Sequence, residues 1–396
     1  MLYRKIAKTG DELSILGFGC MRLTQKDGRI DEERAARQIR HAIDQGVNYL
    51  DTAWAYHRGE SEPFLGRTLA GGYRERVKLA SKLPTWLVKS RADMDRFLDA
   101  QLEKLATARI DYYMVHGIDG SNWERMAGLG VGEFLETARA DGRIVNAGFS
   151  FHGLREEFKG IVDAYPWSLC QIQYNYLDEE MQAGTQGLEY AAAKGLGVMV
   201  MEPLRGGLLG AKPQPPAVEE IWREAGAGRS PAEWALRWIW NRPEVTVALS
   251  GMSDEAQVEE NLRVASEARA GSLTAEEAGL IARVARKYRE IMKVACTGCG
   301  YCLPCPSGVD IPGCFDSWNL LHSFGNQDAW FIYVMRGAGV FSGERSYSSL
   351  CSQCRDCVEK CPQGLQIPEL LEEVAREFEA GDLGEREAKV RAFFGG

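Results

Sequence analysis

Nine of the eleven cysteines lie between Cys296 and Cys361, and only Cys20 and Cys170 precede them. No other feature limits the fold as sharply. A secreted disulfide scaffold spreads its cysteines and follows a signal peptide. Here Met1-Leu2-Tyr3-Arg4-Lys5 runs straight into a Gly/Asp turn with no apolar signal core. A dense cysteine cluster without a leader predicts metal ligation and a cytoplasmic protein.

Two runs organise the cysteine-rich tail. Cys296-x2-Cys299-x2-Cys302-x2-Cys305 is followed by Pro306, and Cys351-x2-Cys354-x2-Cys357-x3-Cys361 by Pro362. The second has the spacing of bacterial ferredoxins, in which the fourth Cys serves the other cluster of a pair. The first is one residue shorter before its last Cys. Zinc is the competing reading, because C-x2-C pairs also build zinc ribbons. Four thiolates per run, each closing on Cys-Pro, favour two [4Fe-4S] clusters held by these eight cysteines. Cys314 reads as a small core residue and is the natural substitute if Cys305 does not ligate. Between the runs, Trp318, Leu320, Leu321, Phe324, Trp330, Phe331, Ile332, Tyr333 and Met335 recur at roughly helical spacing. Helices are predicted at 275–293 and 368–379, giving a helical two-cluster domain.

The part before the tail alternates strand and helix. Leu2–Ile6 and Glu12–Gly17 flank the turn Lys8-Thr9-Gly10-Asp11 and predict a hairpin. Strand-length apolar runs follow at Ser14–Gly19, Val47–Thr52, Val77–Ser81, Ile110–Val115, Ile144–Phe149, Leu169–Gln173, Gly197–Met201 and Val245–Leu249. Helix-period segments separate them, such as 31–39 with its acidic start and 93–106 with Met94, Phe97, Leu98, Leu102 and Leu105 on one face. Eight such strands close either as an open doubly wound sheet or as a barrel. The first strand leads into Gly17-Phe18-Gly19-Cys20-Met21-Arg22, which lacks the Gly-x-Gly-x-x-Gly dinucleotide signature. With the count of eight, this favours a (β/α)8 TIM barrel. The expected organisation is an α/β barrel with an N-terminal hairpin over 1–270, a helical connection over 271–292, and a smaller α-helical ferredoxin-like domain over 293–396.

Composition narrows the partners. The chain is 45% hydrophobic and 26% charged, with 47 Lys and Arg against 56 Asp and Glu for a net charge of −9. That composition belongs to a globular protein with a large core. No long basic run occurs, so nucleic acid is not an expected partner. No stretch approaches about 18 uninterrupted apolar residues, so no membrane span is expected.

A barrel builds its site at the C-terminal ends of its strands. Those ends carry Asp51, then Trp54 and Tyr56; Ser81-Lys82; His116; Ser150, with His152 after it; Gln171, Gln173 and Asn175; Glu202-Pro203; and Ser250-Gly251. Taken singly, an Asp after a strand often caps a helix and a lone His is ordinarily structural. Together, Asp51, Tyr56, Lys82 and His116 make a proton-donor set. A buried Lys lowers a neighbouring phenol's pKa, an Asp keeps that Lys charged, and a neutral His orients a carbonyl.

Over residues 1–270 the sequence resembles the aldo-keto reductase family. Gly46-Val47-Asn48-Tyr49-Leu50-Asp51-Thr52-Ala53-Trp54-Ala55-Tyr56, followed by Gly59-Glu60-Ser61-Glu62 and Leu65-Gly66, is similar to one family signature. Leu102-Glu103-Lys104-Leu105 with Asp111-Tyr112-Tyr113-Met114-Val115-His116-Gly117 is similar to another. The resemblance implies Asp51, Tyr56, Lys82 and His116 as the catalytic tetrad, with Tyr56 the general acid. It also implies a nicotinamide nucleotide across the barrel mouth. Ser150 and Gln171 would hold its carboxamide, and Glu202, Leu204, Ser250, Gly251, Gln257, Glu260 and Asn261 would line the rest. With its tail, the chain resembles the ferredoxin-tailed branch of the family.

Three departures from the family pattern stand out. Phe151 replaces the Asn that usually follows the carboxamide-binding Ser, and Met201 replaces the aromatic that usually stacks on the nicotinamide. The stretch from Ser250 to Gln257 holds no Lys or Arg to grip a 2′-phosphate. The expected preference is therefore NADH over NADPH, with Arg22, Arg205 and Arg263 as other anion contacts. A nicotinamide moves two electrons and a cluster one; a flavin normally splits the pair, and no flavin motif is visible. Three functions follow. The first is a carbonyl–alcohol oxidoreductase whose clusters exchange electrons with a redox partner protein. The second is the same enzyme with structural clusters. The third is an electron-transfer or docking protein with an idle barrel. The substrate is a small carbonyl or alcohol, and Trp54, Trp86 and Trp123 are candidates for shaping its pocket.

Overall fold

A computed structural model of the chain describes residues 1–153, 155–210, 213–226, 228–296, 300, 302–324, 329–339, 344–361 and 364–393. The chain divides into two compact units, Met1–Ala211 with Ala227–Ile281, and Lys212–Gly226 with Ala282–Gly396. The segment 212–226 thus groups with the tail, although it falls inside the range read as barrel. Within the second unit its Gln214 meets Tyr288, and Arg283 meets Glu224.

In the first unit, β1 (Tyr3–Lys5) and β2 (Glu12–Ser14) form the N-terminal antiparallel hairpin. Eight parallel strands then close a barrel in chain order: β3 (Leu16–Gly19), β4 (Tyr49–Asp51), β5 (Lys78–Leu83), β6 (Ile110–Ile118), β7 (Ile144–Phe151), β8 (Leu169–Gln173), β9 (Gly197–Met201) and β10 (Val247–Ser250). The apolar runs predicted from sequence are these strands. Their side chains alternate between two cores. Inward residues such as Tyr49, Tyr112, Leu169, Met199 and Val247 fill the barrel with Ile6 and Leu13 of the hairpin. Outward residues such as Leu50, Leu79, Tyr113 and Phe149 pack under the helices.

The barrel closes where β10 meets β3, pairing Ala248, Leu249 and Ser250 with Leu16, Gly17 and Phe18. This seam requires glycine. A Cβ on Gly17 would stand 2.7 Å from Val247 Cγ1 and 2.9 Å from Leu249 Cδ2.

The helices begin where local chemistry starts them. Asp31 caps Glu32–Asp44 by accepting from the Arg34 N–H at 3.2 Å. Ser90 and Asp93 form a reciprocal capping box for Arg91–Lys104, which starts two residues before the 93 inferred from periodicity.

The regular elements among the described residues of the second unit are helices, with Ile311–Phe324, Ala329–Gly337, Ile367–Phe378 and Leu383–Phe393 as the main ones. Phe315, Trp318, Tyr333, Leu371, Val374 and Phe378 form its core. Among the described residues, no helix is long and apolar enough to cross a membrane.

Candidate active site

The ends of β4 and β5 bring together the residues singled out by sequence. Lys82 Nζ donates to Asp51 Oδ1 at 2.6 Å, to the Thr52 carbonyl at 2.9 Å and to Tyr56 Oη at 3.2 Å. The ammonium also lies 4.9 Å from the centre of the Tyr56 ring. Asp51 and Lys82 are almost fully buried. Gln171 Nε2 donates to the second Asp51 oxygen at 3.4 Å, and Gln171 Oε1 is buried without a partner. His116 stands edge-on to Tyr56, ring centres 6.3 Å apart, with its Nδ1 buried and unpartnered. A tight turn fixes Tyr56: His57 and Arg58 both take left-handed backbone, at φ 51° and 58°, and His57 Nε2 accepts from the Leu23 N–H at 3.1 Å.

Ser81 alternates with Lys82 and points outward into a second polar cluster. Ser81 Oγ donates to Glu62 Oε1 at 2.7 Å, and Gln101 Nε2 donates to the same oxygen at 2.5 Å and to the Lys82 carbonyl at 3.1 Å. This fully buried carboxylate ties two helices to the strand segment that carries Lys82. Sequence reasoning quoted Glu62 only as part of a signature.

Burial dominates the electrostatics. It pushes the Tyr56 phenol above its ordinary value, with Lys82 opposing. The sequence-based expectation of a lowered phenol is corrected: Lys82 pulls in the expected direction, but desolvation outweighs it. Burial also works against the charged Lys82, yet Asp51 and Tyr56 raise it on balance. His116 is held well below its ordinary range by burial, with Lys82 adding to the effect, so its imidazole is neutral.

These groups line a cleft of about 820 Å³ with Gly19, Met21, Arg22, Ser150, His152, Met201 and Glu202. A neighbouring cleft of about 700 Å³ shares Arg22, Glu202, Leu249 and Gly251 with it and adds Leu204, Ser250, Met252 and Gln257. Two non-glycine residues here carry left-handed backbone, Glu202 at φ 55° and Met252 at φ 36°. Such strain clusters at functional sites and has no signature in sequence. Ser150 Oγ accepts from the Gly117 N–H at 2.7 Å. Asn261 is buried behind Ser250, donating to its Oγ at 2.9 Å. Glu260 is half-buried and lines neither cleft.

Of the three arginines considered, only Arg22 faces the clefts, paired with Glu202 at 3.2 Å. Arg205 is held by Asp178 at 3.3 Å and Arg263 by Glu233 at 2.5 Å. Gln173 and Asn175 bond the same Asp178, at 3.1 and 2.9 Å. Of the three tryptophans, only Trp86 borders the site, 52% exposed and 5.1 Å from the His116 ring. Trp54 packs on Phe97 at 5.0 Å and Trp123 on Trp167 at 5.5 Å. Phe151 packs on Phe158 at 5.0 Å.

In the tail Cys305, Cys314, Cys351, Cys354, Cys357 and Cys361 are free thiols, and Cys299 lies outside the described residues. Cys357, from the second run, lies within electrostatic range of Cys351 and Cys354 and also of Cys305 from the first. Cys302 is buried, and Cys296 and Cys361 are half-buried against the same core. Cys314 instead faces Tyr333 and Ser348. Among the described residues, no three His, Cys, Asp or Glu side chains gather closely enough to hold a single metal ion.

Comparison with known proteins bears on both parts. The sequence model of the Aldo/keto reductase family matches residues 15–285. The chain belongs to the aldo/keto reductase family. A model described as a 4Fe-4S dicluster domain matches residues 295–367. The chain is therefore an aldo-keto reductase-type oxidoreductase with an appended 4Fe-4S dicluster domain. It is 26% identical to the L-galactose dehydrogenase of Arabidopsis thaliana, covering 67% of this chain and 88% of that one. It is 28% identical to the aldo-keto reductase YhdN of Bacillus subtilis, covering 65% and 87%. Among solved structures, the holo form of aldo-keto reductase AKR11C1 from Bacillus halodurans aligns with a TM-score of 0.60 at 26% identity, over 72% of this chain and 96% of that one.

Proposed function

We propose that this reductase interconverts a small carbonyl compound and its alcohol with a nicotinamide nucleotide, and that its tail holds two [4Fe-4S] clusters that exchange electrons with a redox partner. The observation that carries the first half is the single ammonium of Lys82 joining Asp51, the Thr52 carbonyl and Tyr56 Oη beneath an open cleft.

In the reducing direction, Tyr56 gives its hydroxyl proton to the substrate oxygen. Its phenol stays protonated at neutral pH because burial raises it. The Lys82 ammonium stabilises the phenolate left behind, and Asp51 keeps that ammonium in place and charged. Neutral His116 donates to the carbonyl and orients it. When bound there, a reduced nicotinamide would supply the hydride. The residues fit such a group: Gln171 Oε1 is an orphaned buried acceptor, and Ser150 lies beside it in the cleft wall. The adjoining cleft, walled by Leu204, Gly251 and Gln257, would take the rest of the nucleotide.

The tail's donors also fit. Cys357 lies within electrostatic range of thiols from both runs, so Cys305, Cys351, Cys354 and Cys357 would hold one cluster. By the same exchange, Cys296, Cys299, Cys302 and Cys361 would hold the other. Cys314, packed against Tyr333, would hold neither.

Anaerobic titration of the intact protein with NADH and NADPH, followed in the visible region, tests the whole reading. Bleaching of an iron–sulfur band supports clusters in electronic contact with the nucleotide site. Carbonyl turnover without bleaching assigns them a structural role. A barrel that turns over no carbonyl substrate overturns the first half.

A further inference from the structure

The strand β5 is held from both of its faces. Inside the barrel, the Lys82 ammonium meets Asp51, the Thr52 carbonyl and Tyr56. Outside it, the first two residues of the helix Ser61–Thr68 reach the chain around those same groups, and both are fully buried. Ser61 Oγ donates to the Cys20 carbonyl at 3.1 Å. With its proton so committed, it accepts from Thr52 Oγ1 at 2.8 Å. Thr52 is the residue whose carbonyl receives the Lys82 ammonium.

The two oxygens of Glu62 lead to two different catalytic groups. Oε1 accepts from Ser81, the residue before Lys82, and from Gln101, which also donates to the Lys82 carbonyl. Tyr113 Oη donates to Gln101 Oε1 at 2.7 Å, which fixes that amide with its nitrogen toward Glu62. Oε2 is buried, accepts no hydrogen bond among the described residues, and faces Lys104 Nζ at 3.8 Å. That ammonium lies 3.5 Å from the centre of the Trp54 ring, in the loop that carries Tyr56. One buried dipeptide therefore links the ends of β4 and β5 to the Tyr56 loop, while Glu62 lines neither cleft.

We propose that Glu62 is a positioning residue for carbonyl reduction, holding the Lys82 ammonium at bonding distance from Tyr56 Oη. This rests on the carbonyl-reductase reading and adds to it a residue that lines neither cleft. The hold that Lys82 has on the phenolate depends on both separation and direction. A misplacement of about 1 Å can cost about 10²-fold in rate.

The test separates this role from a merely structural one. The rate of the chemical step is read from nicotinamide absorbance in single turnovers of 4-nitrobenzaldehyde by the intact protein. We expect Glu62→Ala to slow that step by about ten- to a hundredfold, with NADH affinity unchanged. Glu62→Gln keeps an acceptor for Ser81 and Gln101 and should recover most of the rate. In a Lys82→Met background, Glu62→Ala should cost less than about twofold, because its route to Tyr56 is already cut. If Glu62→Ala does not fold, Ser81→Ala removes one of the bonds to Oε1 and should show the same pattern more weakly. The same factor in both backgrounds, or a variant that is not slowed, overturns the proposal. An unaltered chain that reduces no carbonyl compound overturns the carbonyl-reductase reading and this proposal with it.

Discussion

The Lys82 ammonium stands 3.2 Å from the Tyr56 hydroxyl, and both line the open cleft. With its three donors directed to Asp51, the Thr52 carbonyl and Tyr56, Lys82 is the group that tunes and Tyr56 the group that meets substrate. Replacing Tyr56 with Phe removes one hydroxyl and little else. Carbonyl reduction should fall by about 10²–10⁴-fold, the usual worth of a general acid, with the circular dichroism spectrum unchanged. Steady-state kinetics that match the unaltered protein would remove Tyr56 from that role.

Lys82→Met should cost stability as well as activity. It strands the Asp51 carboxylate, which is 2% exposed. Breaking a buried pair from one side typically destabilises by about 3–5 kcal/mol. Adding Asp51→Asn should recover part of the loss, and denaturant unfolding of the two singles and the double would measure the coupling. Purely additive losses would mean that the pair is not coupled in the folded state.

The pH dependence of reduction follows from two shifts. Tyr56 must be protonated to act, and its folded pKa lies above 10. Activity should therefore be full at neutral pH and be lost only as pH rises through that value. His116 is already neutral above its depressed pKa, well below 6.5. It should contribute no limb between about pH 6 and 8. A profile of kcat/KM against pH with a limb near 6.5 would contradict the neutral His116.

For the tail, anaerobically purified protein should be brown and carry about eight irons per chain, from two four-iron clusters. Cys305→Ser and Cys357→Ser should each lose about half of that iron, and the double no more than either single, because both serve one cluster. Cys314→Ser should keep it all. Iron loss in Cys314→Ser, or additive loss in the double, would redraw the ligand set.

Cofactor choice depends on Arg22. It is the guanidinium facing the clefts, and Glu202 holds it at 3.2 Å. Arg34, the other cation beside the Ser253–Gln257 stretch, is taken up by Glu255, so NADH should bind more tightly than NADPH by about tenfold, the worth of one charge-assisted contact. Glu202→Gln frees Arg22 and should narrow that gap. Calorimetric titration with each reduced nucleotide reads both, and tighter binding of NADPH to the unaltered chain would place the phosphate elsewhere.

Much of this site was legible because strand ends punctuate the sequence. Asp51, Lys82 and His116 each close an apolar run, and a closed barrel gathers such ends at one mouth. Other features depend on side-chain direction or distant contacts. Trp54 and Trp123 follow strands as Trp86 does, yet their rings turn toward Phe97 and Trp167 instead of the cleft. The phenol shift of Tyr56 came out opposite in sign because proximity to Lys82 is visible in a motif while depth of burial is not. Left-handed backbone at Glu202 and Met252 leaves no trace, since neither is glycine. The grouping of 212–226 with the tail rests on partners such as Tyr288, far away along the chain.

The seam at Gly17 also sets an order of assembly. Leu16, Gly17 and Phe18 pair with Leu249 and its neighbours, so β3 cannot gain its second partner until the strand ending at Ser250 has been made. At about 5–20 residues per second, that wait is on the order of 10–50 s of synthesis. Throughout it the ribosome-bound chain exposes an unpaired apolar edge. The barrel sequence is then complete before Cys296 is translated, so iron enters a protein whose catalytic half can already have folded.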